Sequence, residues 1–253
     1  MQPTTTVATS SDLVSTSPRG QPVAAREHVF FGGMAVLLAA TVLAGFSRTY
    51  YFNELATVPF PLSPLLHWHG AVYSAWMLLL VLQTSLIASG RARWHGRLGI
   101  AGCGVAAAMI ALGTLVAVTR TASGLTLDRG VPPLVFLAVP LIGMLVFALL
   151  VGAAVLLRGH AGAHKRLMLL ATFEIVTAAV ARLPFVEDWG PVGFFGVTDV
   201  LVLAMIAYDL TALKRVHSAT IWGGLLFVAS QPLRLLVGGS SAWLTFASWL
   251  ISA

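Results

Sequence analysis

Long apolar stretches alternate with short polar connections along almost the whole chain. Crossing a hydrocarbon core of about 30 Å takes roughly 20 helical residues, and these stretches come close to or exceed that length. They cover residues 29–46, 65–89, 98–118, 132–157, 167–185, 192–213 and 220–237. The pattern therefore predicts an all-α fold, a bundle of seven transmembrane helices. A short apolar segment with Trp243 and Trp249 follows the last stretch and predicts an interfacial tail.

Composition supports a membrane protein with one domain. Hydrophobic residues make up 58% of the chain and charged residues 9%, whereas soluble domains carry about 25% charged residues. Residues 1–27 are rich in Ser, Thr and Pro and lack the apolar core of a signal peptide, so they predict a disordered cytoplasmic tail. Residues 28–253 form the transmembrane domain. The lone Cys103 excludes an intramolecular disulfide.

The net charge of +6 is a topology signal and not a sign of nucleic-acid binding. On one side of a seven-span arrangement lie Arg19, Arg26, Arg91, Arg93, Arg97, Arg158, Lys165, Arg166, Lys214 and Arg215. The loops on the other side carry Arg48, Arg120 and Arg129 together with four acidic residues. Because cytoplasmic loops are enriched in Lys and Arg, we expect a cytoplasmic N-terminus and an external C-terminus. The lipid bilayer is the expected partner.

Several polar side chains interrupt the apolar stretches near the predicted outer surface. At about 1.5 Å of rise per residue, Arg182 lies about 22 Å along its helix and Asp199 about 12 Å deep from the outside. The predicted outer layer contains His67, His69, Arg182, Asp199, Gln231 and Arg234. One Asp neutralises one Arg, so the remaining cation suits a ligand with an anionic or carbonyl group. Alternatively, Asp199 and the two Arg only tie three helices together.

The second stretch carries a polar stripe. His69, Trp76 and Gln83 recur every seven residues, and Tyr73 lies close beside them, so these residues share one helix face. We expect this face to line the bundle interior, with Tyr73 and Trp76 joining the ligand site. His67 and His69 point about 200° apart in a regular helix, which favours a single lining His.

A predicted inner layer combines a carboxylate with imidazoles. Glu174 lies about 10 Å into its helix when the helix is taken to begin at residue 167. His95, His164 and His217 stand where three helices begin on the basic side. Carboxylate and imidazole are ligands of zinc, iron and copper, so these four residues are candidate metal ligands. The His could equally be interfacial anchors beside Lys and Arg, and Asp209 could form a helix-end ion pair.

Several strings are similar to those of a family of small bacterial multi-pass membrane proteins. They are HWHG at 67–70, GRARWHGRL at 90–98, HKRLMLLAT at 164–172, FFGVTD at 194–199 and ASQPLRLL at 229–236. The resemblance covers nearly all of the chain after about residue 28. Because that family is uncharacterised, the resemblance implies a seven-helix protein of the bacterial inner membrane and no particular activity.

A looser similarity is to cytochrome b-type membrane oxidoreductases, whose haems need one axial His from each of two helices. That similarity implies haem b as a cofactor, held by two of His95, His164 and His217, and a transition metal is the alternative. Three functions are compatible with the sequence. They are a metal- or haem-dependent oxidoreductase acting on a lipophilic or anionic small molecule, a proton-coupled transporter, and a non-catalytic binding or structural membrane protein. No catalytic residue is predicted.

Overall fold

The computed structural model describes residues 23–55, 62–124 and 131–252, and within these ranges the chain is all-α, as predicted. The helices are α1 (Val23–Gly45), α2 (Pro64–Ala88), α3 (Ala92–Ala122), α4 (Pro133–Phe136), α5 (Ala138–Leu156), α6 (Ala161–Val180), α7 (Gly190–Leu213), α8 (Ser218–Gly238) and α9 (Ser241–Ser252). Short irregular helical turns at Ser47–Tyr51, Asn53–Leu55 and Glu187–Trp189 lie between them.

Six segments in the described part of the chain are long and apolar enough to cross a membrane. They are Ala25–Gly45, Pro64–Ala88, Ala92–Ala122, Pro133–Leu156, Glu187–Leu213 and Ser218–Gly238. Their number and length indicate a multi-pass membrane protein. Helix α6 is not among these segments, although it has 20 residues. It carries Lys165, Arg166 and Glu174, which make it much more polar than its neighbours.

Helix α6 is the centre of the bundle. Fourteen of its 20 residues are buried, and it packs against α1, α5, α7 and α8. The approach to α1 is especially close, because a Cβ added at Gly45 would overlap the backbone of Ala179. A helix with three charged residues is therefore the one most shielded from the surroundings, and its charged side chains must find partners inside the protein.

Local sequence signals explain where the helices begin and turn. Ser63 caps α2 by accepting a hydrogen bond from the backbone N–H of Leu66 at 3.4 Å, and Pro64 occupies the first helical position, where Pro is well tolerated. Gly90 has a φ of 75° in the turn between α2 and α3, a conformation that favours glycine. His217 caps α8 by accepting from the N–H of Ala219 at 3.0 Å.

Predicted boundaries differ from the structure at α1, α3 and α6. Helix α3 begins at Ala92, six residues before the predicted start at 98, and α6 ends at Val180, five residues before the predicted end at 185. Helix α6 begins at Ala161, six residues before the predicted start at 167. Helix α1 begins at Val23, so residues 23–27 of the predicted tail are helical, and the rest of that tail lies outside the described residues. The predicted apolar segment at the C-terminus is α9, which packs against α3, α4 and α8.

Candidate functional site

A cavity of about 330 Å³ lies among the helices, at the end of the bundle where α1, α3, α6 and α8 finish. Apolar side chains from α1, α2, α3 and α5 supply much of its wall. Among the described lining residues, the charged ones are Arg120, Arg182, Arg234 and Glu174. The volume falls at the lower limit of pockets that hold small organic ligands, about 300–1,000 Å³.

Glu174 and Arg234 form a buried ion pair in the cavity wall. The Arg234 guanidinium donates to both carboxylate oxygens of Glu174, at 2.8 and 2.7 Å, and Nη2 also donates to the hydroxyl of Ser230 at 2.8 Å. Arg234 is only 1% exposed and Glu174 6%. The Nε–H of Arg234 is buried and has no hydrogen-bond partner among the described residues. One donor of a buried cation is therefore left for another group.

His69 and Tyr73 form an aromatic stack on the α2 side of the cavity. Their ring centroids are 4.0 Å apart with an interplanar angle of 28°, as expected for side chains four residues apart on one helix face. The Tyr73 hydroxyl donates to the carbonyl oxygen of Met109 at 3.1 Å. Nδ1 of His69 is buried without a hydrogen-bond partner in the described structure. This nitrogen is a second polar atom that is available to a ligand.

Aromatic and basic residues surround the cavity where it approaches the helix ends. The hydroxyl of Tyr50 donates to the carbonyl oxygen of His67 at 3.2 Å. Partial burial and the neighbouring Tyr51 raise the pKa of Tyr50, so its phenol stays protonated and able to donate. The Arg182 guanidinium stacks over the ring of Phe46, 4.6 Å from its centroid. Aromatic faces and positive charge therefore line the cavity together with the Glu174–Arg234 pair.

The structure places half of the predicted ligand-site residues on the cavity. His69, Tyr73, Arg182 and Arg234 line it. The other four residues, His67, Trp76, Asp199 and Gln231, do not. His67 is exposed. Trp76 is 3% exposed and donates through its indole N–H to the hydroxyl of Thr172 at 3.3 Å, which makes it a core residue that holds α2 against α6.

The predicted partnership of Asp199 with the buried arginines is wrong. Asp199 accepts a hydrogen bond from the side-chain amide of Gln231 at 2.7 Å. Arg234 pairs with Glu174 instead. The physical reason is the early start of α6, because Glu174 lies 13 residues, or about 20 Å, from Ala161 and reaches the depth of Arg234.

A second buried ion pair joins α6 to α7 near the opposite end of the bundle. Arg166 is 2% exposed and Asp209 is fully buried, and the guanidinium donates to both oxygens of the carboxylate. Asp209 also accepts from the backbone N–H of His217 at 3.0 Å and from the hydroxyl of Thr220 at 2.6 Å. Neither partner of this pair lines the cavity. Its carboxylate is well supplied with donors, as a structural ion pair requires.

The four predicted metal ligands are not brought together. Glu174 lies in the cavity wall with Arg234, and His217 caps α8. Partial burial and the nearby Arg166 lower the pKa of His217, which keeps its ring neutral for this cap. Only His95 and His164 are neighbours, with ring centroids 6.0 Å apart. In the described part of the chain, no three His, Cys, Asp or Glu side chains lie close enough to hold a metal ion.

Sequence reasoning missed the small residues that shape the cavity. A Cβ added at Gly143 would lie 2.8 Å from Oε1 of Glu174, and one added at Gly113 would overlap the Tyr73 hydroxyl. Both glycines stand inside apolar helices, where glycine is unfavourable unless something approaches closely. That signal was present in the sequence, although it does not say which side chain approaches.

Comparison with known proteins gave no match to a family model, to a curated protein or to a solved structure.

Proposed function

We propose that this chain is a seven-span membrane protein whose cavity binds a lipophilic small molecule with an anionic or carbonyl head group. The observation that carries the proposal is a pair of buried polar atoms without hydrogen-bond partners, Nε of Arg234 and Nδ1 of His69, on two residues that line the cavity. A guanidinium N–H recognises a carboxylate, phosphate or carbonyl oxygen. The aromatic and aliphatic walls suit the apolar body of the same molecule.

The proposed topology counts α6 as the seventh span. It is enclosed by α1, α5, α7 and α8, and its 20 residues reach about 30 Å. The asymmetry of Lys and Arg between the two ends supports a cytoplasmic N-terminus, an external C-terminus and a cavity near the outer surface. The resemblance to bacterial multi-pass proteins supports a location in the bacterial inner membrane. Reporter fusions after Gly159 and after Gly239 test this topology, since they are expected on opposite sides of the membrane.

A binding experiment tests the ligand site directly. The probe is 2-naphthoate, an aromatic carboxylate, and its neutral counterpart is 2-naphthamide. Binding to the purified full-length protein in lipid nanodiscs is measured by calorimetry. We expect Ala117→Phe, which fills the cavity from α3, to weaken binding of the probe at least tenfold. Ala111→Phe is the matched control on the same helix, because Ala111 is exposed and does not line the cavity.

The proposal predicts that the two variants differ. It is abandoned if neither probe binds, or if Ala111→Phe and Ala117→Phe weaken binding equally. The second result would mean that the probe associates with the lipid-facing surface or the bilayer.

A second candidate function, a haem- or metal-dependent oxidoreductase, is favoured by the His95–His164 pair. Each residue is the fourth of its helix, in α3 and α6, so the two rings lie at one end of the bundle. Their planes are nearly perpendicular, at 85°. Nδ1 of His164 is hydrogen-bonded to the carbonyl oxygen of Ala154 at 2.8 Å, which leaves the other ring nitrogen available to a ligand. Two His from two helices are what axial ligation of one haem requires.

Absorption spectroscopy and metal analysis of the purified protein test this candidate. A Soret band or a stoichiometric metal that is lost in His95→Ala and His164→Ala, and retained in His217→Ala, would support it. His217 is the control because it caps α8 and is not a neighbour of the pair. A colourless and metal-free preparation from cells supplied with haem and metals would refute it.

A further inference from the structure

Helix α6 carries two buried ion pairs that have the same chemistry and different surroundings. Asp209, the carboxylate of one pair, accepts from Arg166, from a backbone N–H and from a hydroxyl. Glu174, the carboxylate of the other pair, accepts both of its hydrogen bonds from Arg234. Both members of the second pair line the cavity, whereas neither member of the first pair does. The second pair is therefore the one that borders this cavity.

A second anion beside the Glu174–Arg234 pair is unfavourable as long as Glu174 stays ionised. The pair by itself is neutral, and its two side chains are almost completely buried. A ligand carboxylate that bonds to Arg234 would place two negative charges around one guanidinium, away from water. An unpaired charge in such surroundings carries a large desolvation penalty. One proton added to Glu174 removes this charge, because it leaves one anion and one cation.

The other charged and titratable groups on the cavity do not offer a better place for that proton. Helix α3 contributes Arg120, and the end of α6 contributes Arg182. Arginine stays protonated at any physiological pH and cannot take up a proton. From α2 come Tyr73, whose hydroxyl is already protonated, and His69, where a proton would add a positive charge that interacts unfavourably with Arg182. Tyr50 and Tyr51, between α1 and α2, also line the cavity, and a phenol is no better proton acceptor there than Tyr73. The lining residues of α1, α5, α7 and α8 include no titratable group except Arg234 itself.

We propose that the cavity takes up an anionic ligand together with one proton, the anion bound by Arg234 and the proton by Glu174. This inference rests on the proposed function, that is, on the binding of a lipophilic molecule with a polar head. The step is balanced: the carboxylate of Glu174 forms one O–H bond with a proton from solvent, and the guanidinium N–H groups pass from Glu174 to the head group. One anion and one proton enter, so uptake is electroneutral. This stoichiometry is the one that a proton-coupled carrier of an organic acid requires.

The experiment measures binding of 2-naphthoate and 2-naphthamide from about pH 8 to about pH 6, together with proton uptake in weak buffer. Because binding takes up one proton, the affinity for 2-naphthoate should rise roughly tenfold for each unit by which the pH falls. The amide carries no charge, so its affinity should not change with pH. In Glu174→Gln the slope and the proton uptake should both disappear. The control is Asp199→Asn, which removes a carboxylate that does not line the cavity and should keep both.

The double variant Glu174→Gln/Arg234→Gln covers the case in which Glu174→Gln does not fold, because it leaves no unpaired cation. It should bind the amide and show neither proton uptake nor preference for the carboxylate. Binding of both probes without any pH dependence would overturn the coupling and leave the ligand site standing. A pH dependence of 2-naphthoate binding that persists in Glu174→Gln would also overturn the coupling, since the proton would then bind to the ligand or to His69. If neither probe binds, the proposed function itself fails.

Discussion

Replacing Gly143 by Ala should disturb the Glu174–Arg234 pair without touching either charge. The added Cβ would lie 2.8 Å from Oε1 of Glu174 and 3.4 Å from Nη1 of Arg234. The first distance is shorter than real Cβ contacts, so the pair has to move. Overpacking of this kind costs about 1–3 kcal/mol. Gly→Ala inside a helix also contributes about 1 kcal/mol of stability through helix propensity.

Gly152→Ala separates these two effects. Gly152 lies on the same helix, and a Cβ added there has nothing within 4 Å, so only the helix propensity changes. We therefore expect Gly143→Ala to be less stable than Gly152→Ala by about 1–3 kcal/mol. Unfolding of the purified variants in mixed micelles, followed by helical circular dichroism, measures this difference. Equal stability of the two variants would refute the close approach of α5 to the ion pair.

A double-mutant cycle strengthens the experiment. In the background Glu174→Ala, the carboxylate that the new methyl group would meet is absent. The cost of Gly143→Ala relative to Gly152→Ala should therefore shrink in that background. An unchanged cost would show that the methyl group meets something other than the Glu174 carboxylate.

Asp209→Asn should destabilise the protein by about 3–5 kcal/mol, because it leaves a buried arginine without its counter-charge; Asp199→Asn, which alters a half-buried amide hydrogen bond, should cost about 1 kcal/mol. Equal losses in denaturant unfolding would contradict this ranking. Gly70→Ala should weaken binding of 2-naphthoate several-fold, since the new Cβ would overlap the ring of Tyr50 in the cavity wall. Unchanged binding and unchanged stability would contradict the packing of Tyr50 against Gly70 in this wall. His217→Ala should cost about 1 kcal/mol through the lost cap. The pKa of His217 is lowered below its ordinary 6.5, mainly by partial burial. The cap of His217 therefore contributes fully to the free energy of unfolding above about pH 6.5 and loses this contribution on acidification. The difference in stability between wild type and His217→Ala should narrow at low pH. A stability difference that does not change with pH would refute the capping role of His217.

The apolar stretches predicted the all-α class and the positions of most helices, because a bilayer core imposes a minimum length on any apolar span. The N-terminal ends of α3 and α6 were each predicted six residues too late. The predicted start at 167 follows the first apolar residues, whereas the helix continues back to Ala161 through His164, Lys165 and Arg166. Polar residues inside a protein bundle have no need to avoid a helix, so hydropathy alone places this boundary too late.

The candidate site was predicted in part for a related reason. Depth along a helix follows from residue number, and the four-residue spacing of His69 and Tyr73 on α2 correctly indicated that they share a face. The partner of each buried charge follows from depth only where the start of the helix is predicted correctly, and it also depends on how every helix is rotated about its axis. Arg234 therefore found Glu174 in place of Asp199. The glycines that allow these contacts have no side chain, so their residue type alone does not indicate a polar site.

The polarity of α6 has a consequence for how the protein is made. Each charge at membrane depth costs roughly 2.5–3.5 kcal/mol on insertion scales, and α6 carries three charged residues. Two of them find their partners only later in the chain, Arg166 at Asp209 in α7 and Glu174 at Arg234 in α8. During synthesis α6 therefore emerges before the groups that neutralise it exist. In the proposed seven-span topology, stable insertion of α6 therefore waits for α7 and α8, and a nascent chain that stops before α8 should be a substrate for quality-control proteolysis.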